Sequence, residues 1–183
     1  MSPRDTFDVK VAGLARRLPI FEVRPGFRIP ILNILGDTEI VQACAKAIAE
    51  KLQIVDYDIL VTAETKSIPL AHALSMETGK PYVILRKAYK PYMGAALIAE
   101  SMSTTTGKSQ TLILDEKDHD LVHGKSIVVL DDVISTGSTL QGIEMIMERA
   151  GATIVAEAAI FTEGDQSQWE HIIALGHLPV FQD

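Results

Sequence analysis

Residues 128–140, VVLDDVISTGSTL, hold the groups in this sequence that are best suited to chemistry. An apolar run leads into two adjacent aspartates, Asp131 and Asp132, and a small polar loop follows. Its residues are Ser135, Thr136, Gly137, Ser138 and Thr139. Where such a loop enters a helix, converging N–H groups and the helix dipole favour an anion. The pattern therefore predicts a cradle for a monophosphate.

The two aspartates would repel a phosphate that they touched. They fit a ligand whose phosphate lies at one end of a sugar, because carboxylates can accept hydrogen bonds from the hydroxyls further along. Carboxylates beneath a ribose ring can also stabilise positive charge that develops at the anomeric carbon. We expect Asp131 to hold Mg²⁺, directly or through water. The structural alternative is an ordinary strand end followed by a capped turn.

Short apolar segments alternate with amphipathic ones around this stretch. Strands are predicted at 58–63, 82–87, 126–132 and 153–161. Asp37 can cap a helix that runs to Leu52, and a second helix carries Pro69 early and stops at Gly79. This alternation predicts an α/β fold with an open, mostly parallel twisted sheet flanked by helices. In such sheets ligands bind beyond the carboxyl ends of the strands, where Asp131 and Asp132 are expected.

The remaining segments are less regular. An amphipathic helix is predicted from Asp5, and residues 18–37 read as an irregular but packed segment. The apolar face of the predicted helix would hold Phe7, Val11, Leu14 and Leu18. Residues 94–116 predict two β-arms around a polar tip, a candidate mobile flap. We expect a single domain, 1–183, with a small N-terminal hood over 1–36 and the flexible flap within 91–116.

The composition narrows the classes of function. The chain has 183 residues, of which 47% are apolar and 22% charged, so it can bury a core. Its net charge of −7 argues against a nucleic-acid partner. The single cysteine, Cys44, permits no internal disulfide, which fits the cytoplasm. The N-terminus MSPRDTFDVK has no apolar core, and no apolar run approaches ~18 residues, so neither export nor a membrane is expected.

The segment VVLDDVISTGST resembles the phosphoribosyl diphosphate (PRPP) signature of the type I phosphoribosyltransferases. Residues 24–37, 61–74 and 81–92 come in the order and spacing typical of the adenine phosphoribosyltransferases. The resemblance covers roughly residues 5–160. It implies that a Mg²⁺-dependent enzyme transfers 5-phosphoribose from PRPP to a purine base, releasing pyrophosphate. It also implies a homodimer.

The resemblance assigns a role to particular residues. AETKS, 63–67, matches the pyrophosphate loop, where backbone amides around Glu64 and Thr65 and the charge of Lys66 would act. Lys66 would join Asp131 and Asp132 in catalysis. Three basic residues match a cluster that meets the diphosphate, partly across the dimer interface: Arg86, Lys87 and Lys90. Phe27 and Arg28 match the part of the hood that covers the base.

At two places the sequence departs from the family's pattern. Both concern residues expected near the base, and neither concerns residues expected to bind PRPP. The family's flap carries Tyr-x-Leu-Glu-Tyr-Gly, whose glutamate helps the base to exchange its proton, whereas residues 102–107 read MSTTTG. Thr105 cannot accept a proton near neutral pH, and Glu100 lies close enough in sequence to be an alternative. The hood reads Phe-Arg-Ile-Pro where Phe-Arg-Asp-Ile is usual. A 6-oxopurine such as xanthine or hypoxanthine, or a non-catalytic PRPP-sensing regulatory module, therefore stays open beside an adenine-type enzyme.

Overall fold

The computed structural model describes residues 5–102 and 109–182. The strands are β1 (Thr6–Val11), β2 (Leu14–Arg24), β3 (Phe27–Pro30), β4 (Ile59–Ala63), β5 (Tyr82–Leu85), β6 (Leu97–Met102), β7 (Ser109–Leu114), β8 (Ser126–Ile134), β9 (Thr153–Glu163), β10 (Ile173–Leu178) and β11 (Phe181–Gln182). The helices are α1 (Thr38–Leu52), α2 (Ile68–Thr78), α3 (His119–Val122) and α4 (Ser138–Arg149). Within these ranges every helix is too short or too polar to cross a membrane.

A parallel sheet with the strand order β10-β9-β8-β4-β5 forms the centre of the fold. Successive side chains of a strand point to opposite faces of a sheet. Along β4, Leu60 therefore packs with the core of α1 and α2, while Val61 packs with the core of α4. Both faces of the sheet are covered, which explains why its strands are almost entirely apolar. The predicted α/β fold with a mostly parallel sheet is confirmed.

The predicted helix from Asp5 is wrong. Residues 6–24 form the antiparallel hairpin of β1 and β2, joined at Ala12 and Gly13, whose φ angles are 49° and 80°. Two positive φ angles are typical of the tight turns that match the twist of a hairpin. The expected helical face survives as two cross-strand pairs, Phe7 with Leu18 and Val11 with Leu14. The spacing of these apolar residues is thus compatible with both a helix and a hairpin, and the turn at Ala12 and Gly13 produces the hairpin.

The hairpin continues into a second, antiparallel sheet with the order β1-β2-β3-β11. β3 follows β2, and the C-terminal strand β11 adds to its other side, pairing Phe181 with Arg28. Neither β10 nor β11 was predicted. The antiparallel sheet of the hood therefore also includes the last strand of the described chain.

The predicted arms of the flap exist as the antiparallel pair β6 and β7. At their base they pack on α4, because Ala99 and Leu112 are buried in the same core as its apolar face. Arg149 donates to the carbonyl of Ile98 at 2.6 Å. At their base, the arms are thus docked on α4 instead of projecting freely. Residues 103–108, which hold most of the segment that departs from the family, lie outside the described residues.

Asp37 connects the hood to α1. Its carboxylate accepts the amide hydrogen of Ile40 at 3.1 Å, as expected of an N-cap. It also accepts two hydrogen bonds from the guanidinium of Arg16 on β2, at 2.9 and 3.1 Å. The hydrogen bond from Arg16, followed by the one from Ile40, lowers the pKa of this carboxyl. The start of α1 is therefore fixed to the hairpin as well as capped.

We predict that Asp37→Ala lowers the free energy of unfolding by about 1–2 kcal/mol, the usual cost of losing a helix cap. Asp37→Ser keeps a capping oxygen but loses the pair with Arg16, so its loss should be smaller. Urea denaturation of both variants measures the difference. Equal losses would show that the cap contributes nothing beyond the ion pair. Because the Asp37 pKa is lowered, its contribution should be complete above pH 3.8 and fade as the pH falls further.

Candidate functional site

A cleft of about 280 Å³ opens at the carboxyl edge of the parallel sheet. Five parts of the chain line it: the end of β3 with the two residues after it, the end of β4 with the loop to α2, Lys87 after β5, the end of β8 with its loop and the start of α4, and the last residue of β9. The lining residues are Ile29, Pro30, Ile31, Leu32, Ala63, Glu64, Thr65, Lys66, Ser67, Lys87, Asp131, Asp132, Val133, Ser135, Thr139 and Glu163. This is the edge at which ligands bind in open α/β sheets.

Asp131 and Asp132 lie at the centre of the cleft and are held by Ser67. The Ser67 hydroxyl is 2.7 Å from Oδ1 of Asp131 and 3.2 Å from Oδ1 of Asp132. It also accepts the amide hydrogen of Asp132 at 2.9 Å. Ser67 and Asp132 are both buried, so this geometry is fixed by packing as well as by hydrogen bonds.

Lys66 supplies the positive charge beside this pair. Its Nζ is 2.8 Å from Oδ2 of Asp132, an ion pair whose angle falls outside hydrogen-bond geometry. The same Nζ donates to the carbonyl of Leu32 at 3.2 Å. Burial, followed by the charge of Asp132, raises the pKa of Asp131. One cation thus faces two carboxylates, and a further cation here would favour the ionised form of Asp131.

The loop after β8 turns sharply into α4. Gly137 has φ of 73°, and a Cβ there would lie 3.1 Å from Cη2 of Trp169. A larger residue would therefore be both strained and crowded. The hydroxyls of Thr136 and Ser138 lie 3.1 Å apart, and Thr139 is 3.5 Å from Oε1 of Gln110 on β7. A small cavity of about 90 Å³ opens on residues 133–140 together with Asp131.

Glu64 connects the loop after β4 to the basic segment after β5. Its carboxylate accepts from Nε of Arg86 at 3.0 Å and from the amide of Lys87 at 2.9 Å. The amide of Lys87, followed by the charge of Arg86, lowers the pKa of Glu64. Of the three basic residues named from the sequence, Lys87 lines the cleft and Arg86 is paired with Glu64. Lys90 is exposed and lies outside the lining.

Phe27 and Arg28 are not among the residues that line the cleft. The guanidinium of Arg24 lies 4.2 Å from the centre of the Phe27 ring, and Arg28 is 3.6 Å from the carboxylate of Asp5. The hood instead reaches the cleft through the next four residues, 29–32. The assignment of Phe27 and Arg28 to the base stays a prediction.

Sequence analysis missed Glu163, the last residue of β9. It is 6% exposed and lines the cleft. In the part of the chain that the structure describes, its carboxyl has no hydrogen-bond partner. Burial raises its pKa to about 7, and the nearby charge of Lys66 opposes the rise. The available signal was an acidic residue at the end of an apolar strand, the same placement that singled out Asp131.

A family profile described as "Phosphoribosyl transferase domain" matches residues 31–174, and the chain belongs to that family. It is 28% identical to an adenine phosphoribosyltransferase of Thermosipho africanus, over 87% of this chain and 94% of that enzyme. It is 38% identical to a hypoxanthine/guanine phosphoribosyltransferase of a Methanocaldococcus species, over 60% of this chain and 53% of that enzyme. It is also 26% identical to the purine repressor PurR of Bacillus subtilis, over 72% of this chain and 46% of that protein.

The fold is similar to that of solved adenine phosphoribosyltransferases. The enzyme of Thermoanaerobacter pseudethanolicus superposes with a TM-score of 0.67 at 17% identity, covering 94% of this chain and 95% of that one. The resemblance to the family that was stated from the sequence is confirmed. The prediction of a phosphoribosyltransferase is confirmed at the level of the family.

Glu163 gives a prediction about pH. Because its folded pKa is raised from 4.5 to about 7, the unfolded chain releases this proton at lower pH than the folded chain. Stability should therefore fall as the pH rises from about 4.5 to about 7 and then level off, by up to ~3 kcal/mol. Glu163→Gln removes this proton and should be the more stable protein at pH 8. Urea denaturation at pH 5, 6, 7 and 8 compares the two. Parallel stability curves would contradict the buried, unpaired carboxyl.

Proposed function

We propose that this protein transfers 5-phosphoribose from PRPP to a purine base, forming a nucleoside monophosphate and releasing pyrophosphate. The observation that carries the proposal is the cleft itself. It brings the aspartate pair, Lys66 and the first and last hydroxyls of the loop after β8 to one edge of the sheet. Relatives that act on adenine and on hypoxanthine or guanine support a purine as the acceptor.

PRPP would lie along this edge with its two charged ends apart. The loop Ser135–Thr139 would hold the 5-phosphate, and Asp131 and Asp132 would face the ribose. Thr65 and Lys66 would meet the diphosphate from one side, with Arg86, Lys87 and Lys90 on the other. The ion pair between Lys66 and Asp132 supports this arrangement, because it holds the loop after β4 beside the carboxylates.

In the reaction, the bond between the anomeric carbon and the pyrophosphate oxygen breaks, and the oxygen keeps the electron pair. A ring nitrogen of the base forms the new bond to the same carbon, and the proton of that nitrogen passes to the departing pyrophosphate or to water. The sugar carries positive charge between these events, which the carboxylates of Asp131 and Asp132, held by Ser67, can stabilise without reorganising. Catalysis would depend chiefly on such positioning and on the exclusion of water.

Magnesium fits this site as part of a complex with the substrate. Mg²⁺ usually binds one or two carboxylates together with phosphates and water. Asp131 and Asp132 offer such carboxylates, and the residues that the structure describes contain no group of three ligands able to hold a metal alone. Asp131 would hold the ion, directly or through water. When bound, Mg²⁺ would offset the negative charge that develops on the departing pyrophosphate.

The base is the open part of the proposal. An adenine-type acceptor is favoured because the similarity to the Thermosipho africanus enzyme extends over 94% of that protein. A 6-oxopurine is the second candidate, since the Methanocaldococcus enzyme is the more identical over its shorter match. A PRPP sensor without turnover is the third, and the similarity to the Bacillus subtilis repressor favours it. The homodimer and the cytoplasmic location stay predictions.

The direct test measures pyrophosphate release from PRPP and Mg²⁺ with adenine, hypoxanthine, guanine, xanthine or orotate. Turnover with a purine supports the enzyme and identifies its acceptor. If calorimetry shows that PRPP binds while no base is turned over, the sensor is the better account. If PRPP does not bind at all, both accounts are wrong.

Replacing both central aspartates, Asp131→Asn with Asp132→Asn, should reduce turnover by about 10²-fold or more, because the charge beneath the ribose is lost. The matched control is Asp58→Asn. Asp58 accepts the amide hydrogen of Ser126 at 3.0 Å at the opposite edge of the sheet, so turnover should persist. Circular dichroism checks that both proteins fold. Normal turnover in the double variant would overturn the assignment of the pair.

Lys66→Ala should weaken the binding of both pyrophosphate and PRPP, by about 10-fold or more, because a charge-assisted contact to the diphosphate is lost. Ribose 5-phosphate lacks the diphosphate, so its affinity should change far less. Calorimetry gives the three dissociation constants. Lys80→Ala is the control, since Lys80 lies over the Tyr57 ring at 5.3 Å, away from the cleft. An unchanged affinity for pyrophosphate would contradict the role given to Lys66.

A further inference from the structure

Glu163 is a buried carboxyl in the cleft to which the proposed handling of PRPP gives no role. It lines the same cleft as Asp131, Asp132 and Lys66 and is 6% exposed. In the described ranges nothing donates a hydrogen bond to its carboxyl. The carboxyl oxygens are not fully buried, so the exposed part of this residue opens into the cleft, where a ligand can supply the partner.

The backbone on either side of Glu163 is held firmly. Trp169 donates its indole N–H to the carbonyl of Glu163 at 3.0 Å. On β10, His177 contacts the residues before and after it, the Thr162 hydroxyl at 2.9 Å and the Gly164 carbonyl at 3.1 Å. The backbone at Glu163 is therefore held in place before any ligand arrives, which limits the positions open to its side chain.

Charge decides which ligand this carboxyl can meet. PRPP carries several negative charges and would be repelled by a carboxylate that has no cation of its own. Lys66 is already engaged by Asp132 at 2.8 Å and by the carbonyl of Leu32. The other substrate of the proposed reaction, a purine, is neutral and presents hydrogen-bond donors and acceptors along its edge. Because Asp131 and Asp132 would already face the ribose hydroxyls of PRPP, the purine is the partner that remains for Glu163.

We propose that Glu163 recognises the purine base, with its carboxyl hydrogen-bonded to the edge of the ring. This inference rests on the proposed function. The apolar side chains of Ile29, Pro30 and Ile31 line the same cleft and can cover a face of that ring. Glu163 would thus supply the carboxyl near the base for which the flap segment 102–107 offers no counterpart.

The two forms of a carboxyl select different purines. A protonated carboxyl has one donor beside one acceptor, which matches a ring nitrogen next to an amino group, as in a 6-aminopurine. An ionised carboxylate has two acceptors, which match the neighbouring ring N–H and amino group of a 2-amino-6-oxopurine. Glu163→Gln keeps a donor beside an acceptor at every pH, so it mimics the protonated form only.

Several ionisable groups lie on the elements around Glu163. Lys66 lies in the loop before α2, Asp131 and Asp132 lie on β8, and His177 flanks Glu163 from β10. Burial raises the pKa of Glu163 to about 7, against the opposing charge of Lys66. With this pKa the ionised fraction of the carboxyl should grow between pH 6 and pH 8, so the preference should move toward the 2-amino-6-oxopurine as the pH rises.

The test separates the base from the sugar phosphate by using products, which need no turnover. Calorimetry gives dissociation constants for ribose 5-phosphate and for AMP, IMP, GMP and XMP. The ratio of the ribose 5-phosphate constant to that of the tightest nucleotide measures the contribution of the base. In Glu163→Ala this ratio should fall about 10-fold, while ribose 5-phosphate itself binds as before.

Glu163→Gln is the second variant and guards against misfolding of the first. Its dissociation constant for AMP should stay within about 2-fold of the wild-type value at pH 6, whereas its binding of GMP should be lost. Its preference among the nucleotides should not change between pH 6 and pH 8. The matched control is Glu157→Gln, on the same strand. Burial raises the pKa of Glu157 too, but it lies 3.5 Å from His171 and outside the cleft. Its ratio should equal that of the wild type.

Each other outcome overturns a definite statement. If the ratio is unchanged in Glu163→Ala, or if Glu163→Gln follows the wild type for every nucleotide and pH, Glu163 does not recognise the base. If ribose 5-phosphate and the nucleotides weaken together, Glu163 acts on the sugar phosphate and the inference is equally wrong. Both results leave the proposed function intact. A wild-type protein that binds neither PRPP nor any of these products refutes the proposed function and this inference with it.

Discussion

The pairing of β4 with β8 positions most of the cleft. The register places Thr62 opposite Leu130, and the buried Thr62 hydroxyl donates to the Leu130 carbonyl at 2.7 Å. Ser67 then falls within 2.7 Å of the Asp131 carboxylate. A slip of one residue would turn every side chain of β8 to the opposite face. The buried apolar residues of both strands oppose such a slip, so the core of the sheet determines where the acidic pair lies.

The distribution of charge in the cleft follows from this placement. Asp131, Asp132 and Glu163 are acidic, and Lys66 is the cation closest to them that the described contacts show. Because these carboxylates would repel a polyanion such as PRPP, its phosphates would have to lie against hydroxyls, amides and the segment of Arg86 and Lys87. The same cleft also holds the apolar residues Ile29, Pro30 and Ile31 and the carboxyl of Glu163, which accepts no hydrogen bond among the described residues. Such a combination suits a substrate pair of which one member is charged and the other neutral.

The sequence predicts those parts of this arrangement whose cause is local. The apolar strands, the cap at Asp37 and the order of acids, glycine and hydroxyls after β8 are each written in a few consecutive residues. The N-terminal hairpin could not be distinguished from a helix, because Phe7 with Leu18 and Val11 with Leu14 share a face in either structure. Glu163 was missed because only the neighbouring strands show that its carboxyl is buried and faces the cleft.

Trp169 shows how the two ends of the cleft are related. Its ring lies against Gly137 in the loop that would hold the 5-phosphate, and its indole N–H donates to the carbonyl of Glu163 at 3.0 Å. One side chain therefore contacts both the phosphate loop and the residue assigned to the base. The distance from a 5-phosphate to the base of a nucleotide is set by covalent bonds within a narrow range. Under the proposed function, the rigid ring of Trp169 would therefore fix the spacing between the backbone of the phosphate loop and the backbone of the residue that meets the base.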